Sequence, residues 1–588
     1  MRFTHRTGAL LAVLLVEGCL LAGYAWAAEQ EASPPGAVIE QRADARQEDV
    51  WEPVRLGDRR GGVILMPDGT LKSFYAETAE GGAFRNFSVT SPDGGITWST
   101  PTLEYEGPRA FLPLRDRGGE IHLFPMIARR VGEGRTIGVD YFIDIWHIKT
   151  RDGGTAWEEA KVIFEGYVGS INGVTQLSTG RIVLPFAEWL PDRKTGPPCG
   201  ANVVTCVYSD DGGDTWHKSP VQLTAPTCTD FNGSGYGACE PCIIELKDGR
   251  VYMLARTDAG CLYESYSPDG AAWEPLRPTE FLGTDAPAGF LRLPDDRILV
   301  FWNGCEKPPR VDGAGVYGGR DALHAAISDD ECRTWRGYRE IYRDPTRNDT
   351  PPKSGDRGTA YPYPYLAPNG KVIVMTGQGP ASAMLRFDPD WLLETRREDD
   401  FSAGLDGWSA FKPFGEVSRW WRDRRQGPAL VEAPETRGGT VLHVRRPDDA
   451  AGDGAVWNFR MGRTGLLTLR VLLREGFGGA VVSLMDRFFD PTDPNGEKEA
   501  VFSLPIQPDG HISVRESLDV GTWCTLQIAW DTPGRMAVVS VDDVPRVYLP
   551  RALREPRGVN YLRIRSTAGA IDQAGMYVDY VSVDVNDD

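Results

Sequence analysis

Residues 243–246 form a short apolar run, Lys247-Asp248-Gly249 interrupts it, and residues 251–255 resume it. Two apolar runs around an Asp-Gly pair predict a strand, a tight turn and an antiparallel partner. A third run follows at 261–265, and Ser267-Pro268-Asp269-Gly270 then turns the chain ahead of Trp273. Together these make most of one four-stranded sheet.

The same unit recurs. The pattern Ser/Thr-x-Asp-x-Gly-x-x-Trp appears at 91–98, 150–157 and 209–216, with degenerate copies at 267–273, one residue short, and at 328–335, where Cys332 replaces the second Gly. Its aspartates, at positions 93, 152, 211, 269 and 330, are separated by 59, 59, 58 and 61 residues. A period this regular predicts four-strand units arranged radially, as blades of a propeller. Apolar hairpins precede the turns at 62–75, 121–126 with 111–114, 173–187, 242–255 and 289–302, and a sixth lies at 363–376. Six hairpins and five Asp turns predict six blades, with a strand near 51–56 closing the ring beside the last hairpin. Turn chemistry accounts for these aspartates, because a carboxylate there accepts turn N–H bonds while Gly permits positive φ. They are read as structural rather than catalytic.

Beyond the charged run 396–400 the pattern changes. Asp turns stop, and alternating strands appear at 440–444, 466–473, 480–484, 523–530, 536–541 and 575–583. The expected organisation is therefore a signal segment at 1–27, a linker or arm at 28–50, a six-bladed propeller at 51–395 and a β-sandwich at 401–588. The fold class is all-β. The pair of strands around 523–531 and 539–543 resembles the laminin-G/concanavalin-like jelly roll. That resemblance implies carbohydrate binding or a spacer role for the second domain.

Composition narrows the partners. A net charge of −19 disfavours nucleic acid and anionic membranes, which need concentrated Lys and Arg. An anionic substrate would then depend on a local basic pocket, so inward-pointing arginines become informative. Arg2 and Arg6, the apolar run 9–16 and Ala25-Trp26-Ala27 read as a secretory signal, placing the mature chain outside the cytoplasm, secreted, periplasmic or on the cell surface. No other segment approaches the roughly 20 apolar residues of a membrane span. Cys199, Cys206, Cys228, Cys239, Cys242 and Cys261 cluster in blades three and four, which fits disulfides of undetermined pairing. Cys239-x-x-Cys242 lacks a second ligand pair, so neither a metal nor an organic cofactor is expected.

Asp turns repeated on six blades resemble the sialidase (neuraminidase) superfamily, with its BNR or Asp-box repeats, over residues 51–390. The resemblance implies an exo-glycosidase that removes a terminal acidic sugar from a glycan or glycoconjugate, using three arginines, a Tyr nucleophile with a Glu partner, and an Asp acid/base. Glu240, ahead of an inner strand, and Arg256, ending the next, match the Glu and one Arg; a rim salt bridge is the competing reading. Arg320, in Gly318-Gly319-Arg320-Asp321, matches another Arg, with pairing to Asp321 as its alternative. Counting back from the turn Asp68-Gly69 reaches Arg59, where Arg59-Arg60-Gly61 departs from the family triplet and leaves Arg60 in contention. Tyr361, in Thr359-Ala360-Tyr361-Pro362, matches the nucleophile, with Tyr363 and Tyr365 as alternatives further along the strand. The expected acid/base loop, 77–86, contains no Asp. Glu80 or Glu77 is the candidate there, and Asp140 and Asp144 stand in the next blade. A non-catalytic glycan-binding propeller and a protein-interaction scaffold are the remaining readings.

Overall fold

The computed structural model describes residues 51–586 except 59–60, 80–83, 135, 152–155, 191–201, 228–236, 284–285, 307–318, 349–357, 418–421, 434–435, 450 and 553–556. The signal segment, the arm and the Asp turn around Asp152 lie outside the described residues. The fold is all-β, a six-bladed propeller followed by a β-sandwich. By its internal contacts the chain divides into two compact units. The first takes Met1–Phe281, Asp285–Asp296 and Ser354–Asp388, and the second takes Leu282–Thr284, Arg297–Lys353 and Pro389–Asp588.

In the first unit each blade is an antiparallel meander. One runs Val63–Leu65, Leu71–Thr78, Phe84–Ser91, Thr102–Gly107, and another Ala238–Glu245, Val251–Thr257, Cys261–Ser267, Arg277–Leu282. Central strands read as continuous apolar runs because both faces are covered; every residue of Val251–Thr257 is buried. Val54–Gly57 pairs with Ala383–Phe387 and so completes the sheet of Tyr363–Leu366 and Val372–Thr376, the closure that the pattern predicts. One blade carries more than the pattern suggests. Beside Leu114–Arg115, Ile121–Leu123, Tyr141–Lys149 and Lys161–Phe164 it has an additional strand, Met126–Arg130, paired with Tyr141–Lys149.

The Asp turns are closed by their own side chains. At 209–216, Ser209 Oγ donates to Asp211 Oδ1 at 2.8 Å and accepts from Gly213 N at 2.8 Å, while Asp211 Oδ1 accepts from Thr215 N at 2.9 Å. Trp216 Nε1 then donates to Gly213 O at 3.2 Å. The turn at 91–98 repeats this with Asp93, Thr97 and Trp98. At 328–335, Cys332 takes the second Gly position with φ +64° and still donates its N–H to Ser328 Oγ at 2.9 Å. Gly213, at φ +85°, abuts a stacked pair of buried histidines, His122 and His147, so a Cβ there would sit 2.7 Å from His147 Cε1. Burial, with His122 and Lys149 beside it, pushes His147 down to about 2.

Sulfur chemistry departs from expectation. Cys206 and Cys242 are thiols rather than disulfide halves. Burial pushes Cys206 up to about 11, and its Sγ donates to Gly270 O at 3.2 Å, so the sulfur serves as packing in the blade interior. Cys199 and Cys228 lie outside the described residues.

The second unit contains the strands Ile298–Trp302, Ala322–Ser328 and Arg336–Arg343 and the two sheets of the sandwich. One sheet is ordered Ala429–Glu432, Thr440–Arg446, Asp572–Val585, Thr464–Leu473, Trp523–Asp531, Met536–Val541, Val544–Pro550, with Arg396–Asp399 also pairing Asp572–Val585. The other runs Arg422–Gln426, Trp408–Val417, Gly454–Gly462, Val559–Ser566, Ala480–Met485, Phe502–Ile506. Thr464–Leu473 alternates buried and open positions, and its Leu467, Leu469 and Val471 join Trp408, Trp457 and Trp530 in the core.

Asp211 offers a test of the Asp turn. The Thr215 hydroxyl and then the Thr215 N–H hold its carboxyl down to about 2, against 3.8 ordinarily. A carboxyl lowered by folding stabilises the native state above its unfolded value and stops doing so as pH falls through the folded value. Asp211→Asn should therefore cost about 1 kcal/mol at neutral pH, the turn being open to water. In urea unfolding, the gap from wild type should hold above pH 3.8 and close towards pH 2.

Candidate active site

Glu240 stands where the strand Ala238–Glu245 loses register with Val251–Thr257: Cys239 faces Arg256, but Cys242 already faces Leu254. One residue is extra on the first strand, a bulge that turns its side chain out of the alternation. Pro241, which has no N–H to give to a ladder, fits such a position. Glu240 adopts φ +47°, a left-handed conformation uncommon for residues with a Cβ.

Tyr361 shares that feature, with φ +63°. It precedes Pro362, and a residue before proline is ordinarily extended, so the conformation is held by what surrounds it. Gly377 N donates to Ala360 O at 2.9 Å, and Thr376 Oγ1 donates to Thr359 O at 2.7 Å. Both bonds tie the segment before Tyr361 to the strand Val372–Thr376. Strained non-glycine residues of this kind cost about 1–3 kcal/mol each and cluster at functional sites.

The two strained positions meet. Tyr361 Oη donates to Glu240 Oε1 at 2.9 Å. Arg256 Nη1 lies 2.5 Å from Glu240 Oε2 and 3.3 Å from Tyr361 Oη. Glu240 and Arg256 are both 4 % exposed, and Tyr361 is half-buried. A buried carboxylate with a guanidinium on one oxygen and a phenol on the other is a site where a phenolic proton can be taken up. The guanidinium beside the phenol oxygen favours negative charge there.

Arg59, its competitor Arg60 and Glu80 lie outside the described residues. Arg320 is buried and belongs to the second unit, ahead of the strand Ala322–Ser328. Glu77 is half-buried on Leu71–Thr78, opposite Arg85. Asp144 is buried and fully engaged: Arg129 binds it at 2.5 and 3.1 Å, and Gly166 N donates to it at 3.0 Å. Asp140 accepts a long bond from Thr136 N at 3.4 Å. Tyr363 Oη lies 3.2 Å from Ile171 O and 3.3 Å from Asn172 Oδ1. Asn172 is a residue that sequence reasoning passed over. Its Nδ2 is buried without a hydrogen-bond partner, two residues along the chain from Ser170, whose hydroxyl contacts its Oδ1. Asn172-Gly173 reads in sequence as turn chemistry alone.

Residues 110–374 match the family model described as BNR repeat-like domain. No curated protein matches the sequence. Among solved structures, Trypanosoma rangeli sialidase in complex with 2,3-difluorosialic acid, a covalent intermediate, aligns with TM-score 0.38 and 14% identity over 90% of this chain and 91% of its own. A protein of unknown function from Dyadobacter fermentans aligns with TM-score 0.40 and 18% identity, covering 57% of this chain and 96% of its own. A mutant of NanB sialidase from Streptococcus pneumoniae gives 0.39 and 12%, over 57% and 69%.

The buried pair makes a stability prediction. Arg256→Ala leaves Glu240 buried without its guanidinium and should cost about 3–5 kcal/mol in urea unfolding. Adding Glu240→Gln should return a large part of that loss. Additive effects of the two changes would mean that the pair is not coupled.

Proposed function

With residues 110–374 a BNR repeat-like domain, we propose that the chain is a secreted exo-glycosidase of sialidase type acting on a terminal acidic sugar of a glycan. The observation that carries this reading is the 2.9 Å hydrogen bond from Tyr361 to Glu240, with Arg256 against both. Substrate chemistry explains the residue type. A sugar with a carboxylate on its reacting carbon repels an anionic Asp or Glu nucleophile, whereas a neutral phenol avoids that repulsion.

In this mechanism Tyr361 Oη forms a bond to the anomeric carbon as the glycosidic C–O bond breaks, and Glu240 takes the phenolic proton. The departing oxygen receives a proton from an acid, the role assigned to Glu80. Water, giving a proton to the Glu80 carboxylate, then attacks the tyrosyl-linked sugar, Tyr361 leaves and recovers its proton from Glu240, and the anomeric configuration is retained. Arg256, with Arg59 and Arg320, would bind the substrate carboxylate. Among the described residues no helix is long and apolar enough to cross a membrane.

The absence of Asp from residues 77–86 favours a second reading, a propeller that binds the glycan without cleaving it. Turnover of 4-methylumbelliferyl N-acetylneuraminide separates the two. Wild type should release the fluorophore, Tyr361→Phe should abolish release, and Glu240→Gln should lower kcat about 10²–10⁴-fold. Undiminished turnover in Tyr361→Phe would overturn the mechanism. Binding to a sialoglycan array without any release would favour the second reading.

A further inference from the structure

Away from Tyr361, the hairpin turn 116–120 joins Leu114–Arg115 to Ile121–Leu123 and brings Asp116, Glu120 and His122 together. One ligand atom of each lies within 4.8 Å of the others. His122 is fully buried, and its Nε2 makes no hydrogen bond. That nitrogen stands 3.4 Å from Asp116 Oδ2 without hydrogen-bond geometry. A buried imidazole nitrogen left unpaired costs about 1–3 kcal/mol, and this one lies beside the two carboxylates.

We propose that Asp116, Glu120 and His122 bind a divalent transition metal, zinc by preference, at this turn. The distance is that of two ligands on one ion. Nitrogen and oxygen each about 2.1 Å from a tetrahedral zinc stand about 3.4 Å apart. One imidazole with two carboxylates suits zinc, whereas calcium and magnesium prefer all-oxygen sets.

The surroundings agree. A ligating histidine ordinarily donates its other N–H, which fixes its tautomer. Here His122 Nδ1 lies 2.9 Å from His147 Nε2, so Nδ1–H can donate there and leave the Nε2 lone pair to the metal. Lys149 is the competing cation, 3.6 Å from Glu120 Oε2. Its ammonium already has nearer partners, Asp214 Oδ1 at 2.7 Å and Gly212 O at 2.8 Å. Glu120 is 30% exposed at its side chain and is thus the ligand with freedom to swing in from the surface. Asp116 is fixed, since its Oδ1 accepts from Glu120 N at 2.8 Å. Gly213 of the neighbouring Asp turn packs on both histidine rings, which holds the His122 ring in place.

The test uses the full chain, dialysed against a chelator and titrated with Zn²⁺ by calorimetry and with Co²⁺ by visible absorption. Wild type should take up one equivalent of each and melt at a higher temperature when loaded. Glu120→Gln, a change at a partly exposed site, should weaken zinc binding at least about tenfold, the least expected when a ligand is removed. Equal zinc affinity in Glu120→Gln and wild type, no uptake by wild type, or a thiolate-to-cobalt charge-transfer band would each overturn the assignment.

Discussion

Burial of the Glu240 carboxylate sets the terms for everything around it. An ionised group removed from water is tolerated where opposite charge and hydrogen bonds replace its hydration. Arg256 supplies the charge and Tyr361 the second bond. Arg256 comes from the adjacent strand of the same sheet, whereas Tyr361 comes from a sheet more than a hundred residues later. The contact therefore depends on the ring of blades being closed. Val54–Gly57 closes it by pairing with Ala383–Phe387 rather than with a neighbour in sequence. Without that pairing, the sheet following Tyr361 would lack its fourth strand.

Backbone strain is concentrated on the same contact. Glu240 and Tyr361 both adopt positive φ, and each is locked by ordinary sheet bonds on either side. Sheet bonds thus hold two strained residues against each other. The mechanism proposed above needs this, because the Tyr361 oxygen must stay aimed while charge moves onto it. A relaxed, extended Tyr361 would leave the carboxylate with Arg256 alone.

The parts of this arrangement that are legible in sequence are those whose physics is local. Asp93, Asp211, Asp269 and Asp330 bond to N–H groups within four residues, so their spacing alone reveals the blades. The closing strand is legible because six hairpins and five Asp turns leave one sheet incomplete. The strand Met126–Arg130 is not, since its partner Tyr141–Lys149 lies across a hairpin with no Asp-Gly signal. Nor is the bulge at Glu240, because neither Glu nor Tyr favours positive φ and only the tertiary frame imposes it. Cysteine clustering suggests cross-links, yet Cys206 and Cys242 point into apolar blade interiors where a thiol packs as a small hydrophobe.

Two buried histidines show how differently the same side chain can be satisfied. In the second unit, His324 is filled at both nitrogens: Gly304 N donates to Nδ1 at 3.0 Å, and Nε2 lies 2.7 Å from Tyr561 Oη. Tyr561 in turn donates to Glu340 at 2.6 Å, so the chain ends on a carboxylate held by Arg343. Burial pushes His324 down to about 3, and nothing in that chain calls for a further group. His122 is buried as deeply, but one of its nitrogens makes no hydrogen bond and faces two carboxylates. The Asp116 carboxylate stands 3.4 Å from that nitrogen. The difference is chemical, and it locates a cation in the turn at Asp116.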